Sequence, residues 1–99
     1  MKLRWTGLAL NDLKDIHSYI AEQNPVAALK VARLLRVHAE GLAAYPEKGR
    51  LGRVDETREQ AIPGTPYVIA YRVTETTVDI LAIRHGAREW AVSVLNSEG

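Results

Sequence analysis

Charged and aromatic side chains gather where an apolar run ends, in the stretch LAIRHGAREW of residues 81–90. The run is followed by two arginines, a histidine and a tryptophan: Arg84, His85, Arg88 and Trp90. Arginines in such a group could stabilise an attacked phosphate, as in ribonucleases, or bind the carboxylates of a protein partner through paired hydrogen bonds. The ordinary structural alternative is an ion pair at the rim of a sheet with Glu59, Asp79 or Glu89.

Two more arginines, Arg58 and Arg72, lie among apolar neighbours in predicted strands. Side chains alternate across a strand, which places Arg72 on the face of Val68 and Ala70, and Arg84 on the face of Ile80 and Ala82. If the two faces coincide, the sheet carries an arginine cluster on the side away from the helices.

Metal and nucleophile chemistry find little support in the sequence. The histidines at positions 17, 38 and 85 have no ligand spacing such as H-E-x-x-H, and there are no cysteines. We therefore expect no metal site, no disulfide and no cofactor. Ser18 and Ser93 lack a nucleophile motif, and His38 is expected at the boundary of the core.

A glycine-rich basic loop, PEKGRLGR, spans residues 46–53. Its four residues 49–52 match the short GXXG pattern with which some domains clamp a nucleic-acid backbone. The pattern has only two defined positions, and a tight turn is the simpler interpretation. Lys48, Arg50 and Arg53 could still meet a phosphate or an acidic partner.

The composition is that of an ordinary globular domain, with 46% hydrophobic and 25% charged residues in a chain of 99. We expect one domain over residues 1–99, of which about 91–99 form a tail. The net charge of +1 argues against direct nucleic-acid binding through bulk charge. No apolar run has the length of a membrane span and the N-terminus lacks a signal-peptide core, so we expect a cytoplasmic protein.

Capping and helix-breaking residues along the chain predict the helices and strands that must position these side chains. Residues 2–5 suit a small edge strand, Thr6 suits the N-cap of a helix to about Glu22, and Asn24-Pro25 separates it from a second helix. That helix is predicted over 25–44, antiparallel to the first. Three strands in a meander follow, at 57–62, 66–73 and 77–85. The predicted fold is α+β with the order β-α-α-β-β-β, a helical hairpin packed on a small antiparallel sheet.

The helices differ in how much apolar surface they carry. The first has one stripe, with three polar residues predicted to face elsewhere: Asp12, Lys14 and Asp15. The second has a main apolar stripe and three more apolar residues beside it: Val26, Leu29 and Val37. These three indicate either a broad face buried on the sheet or an apolar flank left exposed for a partner.

Several segments together resemble the RelE/ParE superfamily of bacterial toxins, and the ParE branch most. They are RWTGLALNDLKDIHSYIAEQNPVAA, GRLGRVDETRE, PYVIAYRV and HGAREW, in the order and spacing of that superfamily. The resemblance runs from Arg4 to Trp90 and implies the β-α-α-β-β-β fold. It also implies a type II toxin held inactive in a hetero-oligomer with a cognate, ParD-like antitoxin, and a role such as plasmid stabilisation. ParE toxins poison DNA gyrase, whereas RelE-like toxins cut mRNA on the ribosome.

The chain departs from the superfamily pattern at three places, and two of them bear on this choice. The mRNA-cutting branch often has an arginine early in the strand where this chain has Tyr67-Val68. It also typically carries a tyrosine, histidine or lysine near the C-terminus, and none follows Trp90. RNA hydrolysis needs both a general base and a general acid, so we favour gyrase inhibition. The other departure is Asp55-Glu56, which replaces the usual proline-glycine pair at a bend.

The resemblance and the residue types together assign candidate sites. The target contact is assigned to the strand exit, namely Arg84, His85, Arg88 and Trp90. The antitoxin contact is assigned to the hairpin and the strands, namely Val26, Leu29, Arg33, Val37, Arg58 and Arg72. If the chain is instead a ribonuclease, His85, Arg84 and Arg72 are the catalytic candidates.

Overall fold

Two helices pack on one face of a five-stranded sheet in the computed structural model, which describes residues 1–86. The elements are β1 Lys2–Trp5, α1 Gly7–Ala21, α2 Pro25–Ala44, β2 Arg50–Leu51, β3 Arg58–Ala61, β4 Tyr67–Val73 and β5 Thr77–His85. The candidate residues Arg88 and Trp90 and the predicted tail lie outside the described residues. In the described part, neither helix has the length and apolar character that crossing a membrane requires.

The helical hairpin forms where its caps were predicted. Thr6 Oγ1 accepts the N–H of Ala9 at 3.2 Å, and Asn24 Oδ1 accepts the N–H of Ala27 at 3.0 Å. Each cap satisfies one of the backbone donors that the first turn of a helix leaves free. Pro25 occupies the first turn of α2, where a missing N–H costs nothing. The local sequence is therefore sufficient to separate and orient the two helices.

The strands lie in the order β1-β5-β4-β3-β2. Neighbours from β2 to β5 are antiparallel, as predicted, whereas β1 lies parallel to β5 with Lys2 opposite Thr77. A parallel neighbour requires a long crossover, and here the helical hairpin and the meander lie between the two strands. The two-residue strand β2 was predicted as loop, and its pairing with β3 makes it a short edge.

An irregularity between β4 and β5 changes which residues share a face. Ala70 lies opposite Ala82, but Tyr71 lies opposite Ile80, so β5 has one extra residue at this point. Ile80 therefore joins the core under the helices, while Ala82 forms a separate small cluster with Ala70 and Leu81. The simple alternation that placed Ile80 and Ala82 on one face is wrong for this reason.

The core lies between the hairpin and the sheet. Its most completely buried side chains include Tyr71, Leu35, Leu42, Ile62, Ile69, Ile80, Ile83 and Val78. His38 is half-buried, which confirms its predicted boundary position. Asp12 was predicted to face away from the core, and this is wrong, because it is only 8% exposed and lies against β5.

The basic loop packs closely instead of presenting an open clamp. Gly49 donates its N–H to the hydroxyl of Tyr71 at 2.8 Å, and a Cβ at Gly49 would lie 2.5 Å from that oxygen. Gly52 has equally little room, because a Cβ there would collide with Thr57. Both glycines of the GXXG pattern are therefore explained by close approach within the fold.

The bend at Asp55-Glu56 is a hydrogen-bonded turn without a glycine. Thr57 donates its N–H to Val54 O at 3.2 Å, which closes a four-residue turn. Glu56, the third residue of that turn, has a φ of 65°. This left-handed conformation is costly for a residue with a Cβ, so the turn carries local strain.

Candidate interaction site

Within residues 1–86, the exit of β5 has one edge that no strand covers. β1 ends at Trp5, opposite Ile80, whereas β5 continues to His85. The N-cap of helix α1 and the helix itself supply hydrogen-bond partners for the backbone at this edge. Thr6 donates its N–H to Ile80 O at 3.1 Å and its hydroxyl to the same oxygen at 2.8 Å. Further along, Asp12 Oδ2 accepts the N–H of Ile83 at 2.9 Å.

Arg84 is held at this edge by the same carboxylate. Its Nη1 lies 2.6 Å from Asp12 Oδ1 and donates to Ile83 O at 3.3 Å. The side chains of Arg84 and Asp12 are only 18% and 10% exposed. Sequence analysis placed Arg84 at an open strand exit, but its guanidinium is folded back onto its own strand.

His85, by contrast, is presented to solvent. Its ring meets Tyr67 edge-on, with the centroids 5.7 Å apart and an interplanar angle of 88°. A cleft of about 210 Å³ lies beside it, lined by Asp12, Asp15, Ile16, Tyr67, Ile83, Arg84 and His85. The described strand exit thus combines one accessible imidazole with one neutralised arginine.

The other arginines of the sheet differ in their partners. Asp79 and Glu59 were predicted as possible ion-pair partners at the rim of the sheet. Asp79 pairs with Arg4 at 2.8 Å, and Glu59 pairs with Arg50 at 3.4 Å. The hydrogen bonds from Arg4 lower the pKa of Asp79, and the same pairing raises the pKa of Arg4. Both carboxylates are therefore neutralised by Arg4 and Arg50, which were not predicted as site residues.

The two candidate arginines of the central strands are placed differently from each other. Arg58 Nη1 donates a hydrogen bond to Gly49 O at 2.8 Å and so stabilises the basic loop. Arg72 lies opposite Asp79, and Arg84 lies opposite Val68, so their positions share one face of the sheet. Within residues 1–86, Arg72 has no hydrogen-bond acceptor for its enclosed Nε. The predicted arginine cluster is therefore reduced to Arg72, since Arg84 turns away towards α1.

Tyr71 of β4 is a fully buried tyrosine near these arginines. Burial raises the pKa of its hydroxyl, which accepts from Gly49 N and donates to Pro46 O at 2.8 Å. A hydroxyl with both roles filled by backbone groups is a structural element and is not free to transfer a proton to a substrate.

The outer surface of the hairpin carries a groove of about 680 Å³. It is lined by residues of α1 and α2, namely Leu10, Leu13, Lys14, His17, Leu29, Ala32, Arg33, Arg36, Val37 and Glu40. Leu29 and Val37 are 64% and 54% exposed, which decides in favour of an exposed apolar flank over a buried face. Three of the predicted antitoxin residues, Leu29, Arg33 and Val37, line this groove together.

The remaining predicted antitoxin residues lie elsewhere. Val26 is 63% exposed at the start of α2 but does not line the groove, and Arg58 and Arg72 belong to the sheet. Among residues 1–86, no group of three His, Asp or Glu side chains is placed to hold a metal ion.

Sequence analysis assigned no functional role to Asp12, although its spacing from apolar residues of α1 indicated a buried position. Asp12 lies three residues after the buried Ala9 and four before the partly buried Ile16, on the inward face of α1. A polar residue on such a face requires a buried partner. The partner, the strand edge at Ile83, could not be identified without the register of β1 against β5.

Relatives of the chain are toxins. It matches the family model described as the ParE toxin of type II toxin–antitoxin system, parDE, over residues 3–90. The putative toxin Y4kP of Sinorhizobium fredii is 38% identical over 89 residues, which cover 90% of this chain and 92% of that protein. Toxin RelE2 of Caulobacter vibrioides is 44% identical over 84 residues, covering 85% and 93% of the two chains.

Solved structures show the same architecture. A chain of the chromosomal ParDE system from P. aeruginosa superposes with a TM-score of 0.81 at 27% identity, covering 88% of this chain and 97% of that one. The RelBE2 toxin–antitoxin complex from Mycobacterium tuberculosis gives a TM-score of 0.57 at 27% identity, covering 85% and 95%. The match over residues 3–90, the two toxin relatives and the shared hairpin-on-sheet fold lead to one conclusion: this chain belongs to the ParE toxin family, as the toxin of a type II toxin–antitoxin system.

Proposed function

We propose that this toxin inhibits DNA gyrase through a protein contact made by the exit of β5, and that a ParD-like antitoxin neutralises it. The observation that carries the proposal is the pairing of Arg84 with Asp12. It leaves His85 as the accessible ionisable group of the described strand exit. Cleavage of RNA needs one group to take the 2′-hydroxyl proton and another to protonate the leaving oxygen, and a single imidazole supplies only one of them at a time.

The contact surface in this proposal consists of His85 together with Arg88 and Trp90. His85 stands beside the buried Tyr67 at the cleft, and its own exposed ring is within reach of a partner side chain. Arg88 and Trp90 follow within five residues in the sequence. Aromatic and arginine side chains are the types that most often dominate the energy of a protein interface.

The second candidate function is ribosome-dependent mRNA cleavage. It is favoured by the relative named RelE2 at 44% identity and by Arg72, a cation whose enclosed Nε has no hydrogen-bond acceptor among residues 1–86. In that case Arg72 would meet a phosphate and His85 would act as general base, with Arg84 beside it.

The antitoxin contact is proposed at the hairpin groove. Its apolar lining is bordered by the cations Lys14, Arg33 and Arg36, against the one carboxylate of Glu40. An amphipathic segment with apolar anchors and acidic flanks is complementary to both features. Such a segment, disordered alone, would fold as it binds, so the apolar anchors must supply much of the affinity.

One pair of assays separates the two functions. Purified toxin is added to gyrase with relaxed plasmid, and in parallel to a translating extract with a defined mRNA. We expect loss of supercoiling, no codon-specific cuts, and reversal by stoichiometric cognate antitoxin. A His85→Ala variant should lose inhibition, while Lys30→Ala, on the exposed surface of α2, should retain it. Codon-specific cuts with unaffected supercoiling would assign the chain to the RelE mechanism.

A further inference from the structure

The carboxylate of Asp12, on helix α1, accepts a hydrogen bond from the backbone near the end of β5. Past Ile80 the strand has lost its neighbour β1, and a strand edge without partners leaves N–H and C=O groups unsatisfied. Asp12 Oδ2 takes the N–H of Ile83 at 2.9 Å, and its other oxygen takes Arg84 Nη1 at 2.6 Å. The two oxygens of one side chain thus bind the backbone and the side chain of consecutive residues.

Arg84 closes the same arrangement from the strand side. Its Nη1 also reaches Ile83 O at 3.3 Å, so both backbone groups of Ile83 are engaged at the part of the edge that β1 does not cover. The Nε of Arg84 is enclosed and has no acceptor among residues 1–86. A guanidinium held in this way cannot also present its planar fork to a partner's carboxylate.

The residue next to this pair is the exposed one. His85 follows Arg84 directly, and its ring rests edge-on against Tyr67 of β4. The direction of the chain at His85 therefore depends on how Ile83 and Arg84 are held. A buried carboxylate that is hydrogen-bonded on both oxygens is a rigid support for that direction.

We propose that Asp12 is a positioning residue for the target contact. Asp12 fixes the strand exit by accepting hydrogen bonds from Ile83 and Arg84. Arg84 helps to hold the exit in place and does not itself touch the target. The inference rests on the proposed function only for its activity readout. Sequence analysis had assigned Arg84 to the target contact and had given Asp12 no role.

The test compares four variants of the full chain, each purified with antitoxin and then separated from it. They are Asp12→Ala, Arg84→Gln, the double change Asp12→Asn/Arg84→Gln, and the control Asn11→Ala, which alters an exposed neighbour on α1. Three quantities are measured for each: amide exchange at Ile83, inhibition of gyrase supercoiling, and affinity for the antitoxin.

The expected pattern separates positioning from direct contact. Asp12→Ala should speed exchange at Ile83 by about tenfold or more and weaken inhibition by a similar factor, because the amide loses its acceptor. Antitoxin affinity should stay within about threefold, since the groove residues lie on another side of α1. The double change, which restores a neutral hydrogen-bonded pair, should recover inhibition relative to Asp12→Ala, and Asn11→Ala should match the wild type.

Two results would overturn the inference. The first is that Arg84→Gln abolishes inhibition while amide exchange at Ile83 stays unchanged, which would make Arg84 a direct contact. The second is that Asp12→Ala leaves amide exchange at Ile83 at the wild-type rate, which would show that the pair does not hold the strand. If wild-type toxin leaves gyrase untouched, the proposed function fails, while the exchange measurement still decides whether Asp12 holds the exit.

Discussion

The guanidinium of Arg4 holds the carboxylate of Asp79 through two hydrogen bonds, Nε to Oδ1 at 2.9 Å and Nη2 to Oδ2 at 2.8 Å. The two residues lie opposite each other in the parallel pairing of β1 with β5. Thr77 Oγ1 also donates to Asp79 Oδ1 at 2.9 Å. The pair therefore ties the first strand of the chain to the last described strand and completes the sheet.

The pH dependence of stability should reflect this pair. The pKa of Asp79 is lowered in the fold, chiefly by the hydrogen bonds from Arg4. A group of this kind adds stability above its unfolded pKa, and the contribution is lost as the pH falls through the folded value. Urea unfolding should show Arg4→Gln less stable than wild type near neutral pH, with the difference shrinking well below the ordinary pKa of 3.8. Arg36→Gln is the control, and a difference that persists unchanged in acid would contradict the prediction.

Glu56→Gly should stabilise the toxin. The φ of 65° at Glu56 lies in the left-handed region, where a Cβ costs about 1–2 kcal/mol and glycine costs little. After the greater entropy of glycine in the unfolded chain is subtracted, we expect a gain of about 0.5–1 kcal/mol in the free energy of unfolding. Asp55→Gly, at a neighbour without a positive φ, should bring no gain. Equal effects of the two changes would show that the turn is not strained at Glu56.

Tyr71→Phe should destabilise the fold. The change removes a hydroxyl that accepts from Gly49 N and donates to Pro46 O, and leaves these buried or half-buried backbone groups without a partner. The expected loss is about 1–3 kcal/mol in the free energy of unfolding. Tyr19→Phe, at a side chain 73% exposed, is the matched control and should change stability little. A loss for Tyr71→Phe no larger than that of the control would show that water replaces the hydroxyl.

Leu29→Glu should weaken the toxin–antitoxin complex without unfolding the toxin. Leu29 is 64% exposed in the hairpin groove, so a carboxylate there remains solvated in the free toxin. In the complex the same carboxylate would be buried against an apolar anchor and would face acidic flanks, at a cost of more than about 2 kcal/mol. Isothermal titration measures the loss, and Val26→Glu, outside the groove lining, tests whether the contact extends along α2.

Hydrogen exchange locates that contact independently. With antitoxin bound, backbone amides of α1 and α2 around the groove should gain protection, most clearly over residues 25–40. Unchanged exchange across this range in a saturated complex would exclude the groove as the docking surface, whatever the effect of Leu29→Glu.

Local chemistry was sufficient for the two helices, for four of the five strands and for the layers. Thr6 and Asn24 mark helix starts through their own side-chain caps, and Pro25 follows as a first-turn residue, so these boundaries depend only on nearby residues. β5 was predicted over its observed length because its apolar and β-branched residues run without a breaker. The exposed apolar flank of α2 was one of two interpretations that the sequence left open, since exposure depends on what packs against a helix.

Tertiary structure decided the relations that join distant parts of the chain. Asp12 and Arg84 are 72 positions apart, and Arg4 and Asp79 are 75 apart, so no local pattern couples them. The parallel placement of β1 beside β5 creates both pairs, since it brings Arg4 opposite Asp79 and leaves the exit of β5 open to α1. The extra residue near Leu81 then reverses the face of Ile80. By itself the sequence determined which residues carry charge and where elements begin; pairing between distant strands determined which charges are neutralised and which are left for a partner.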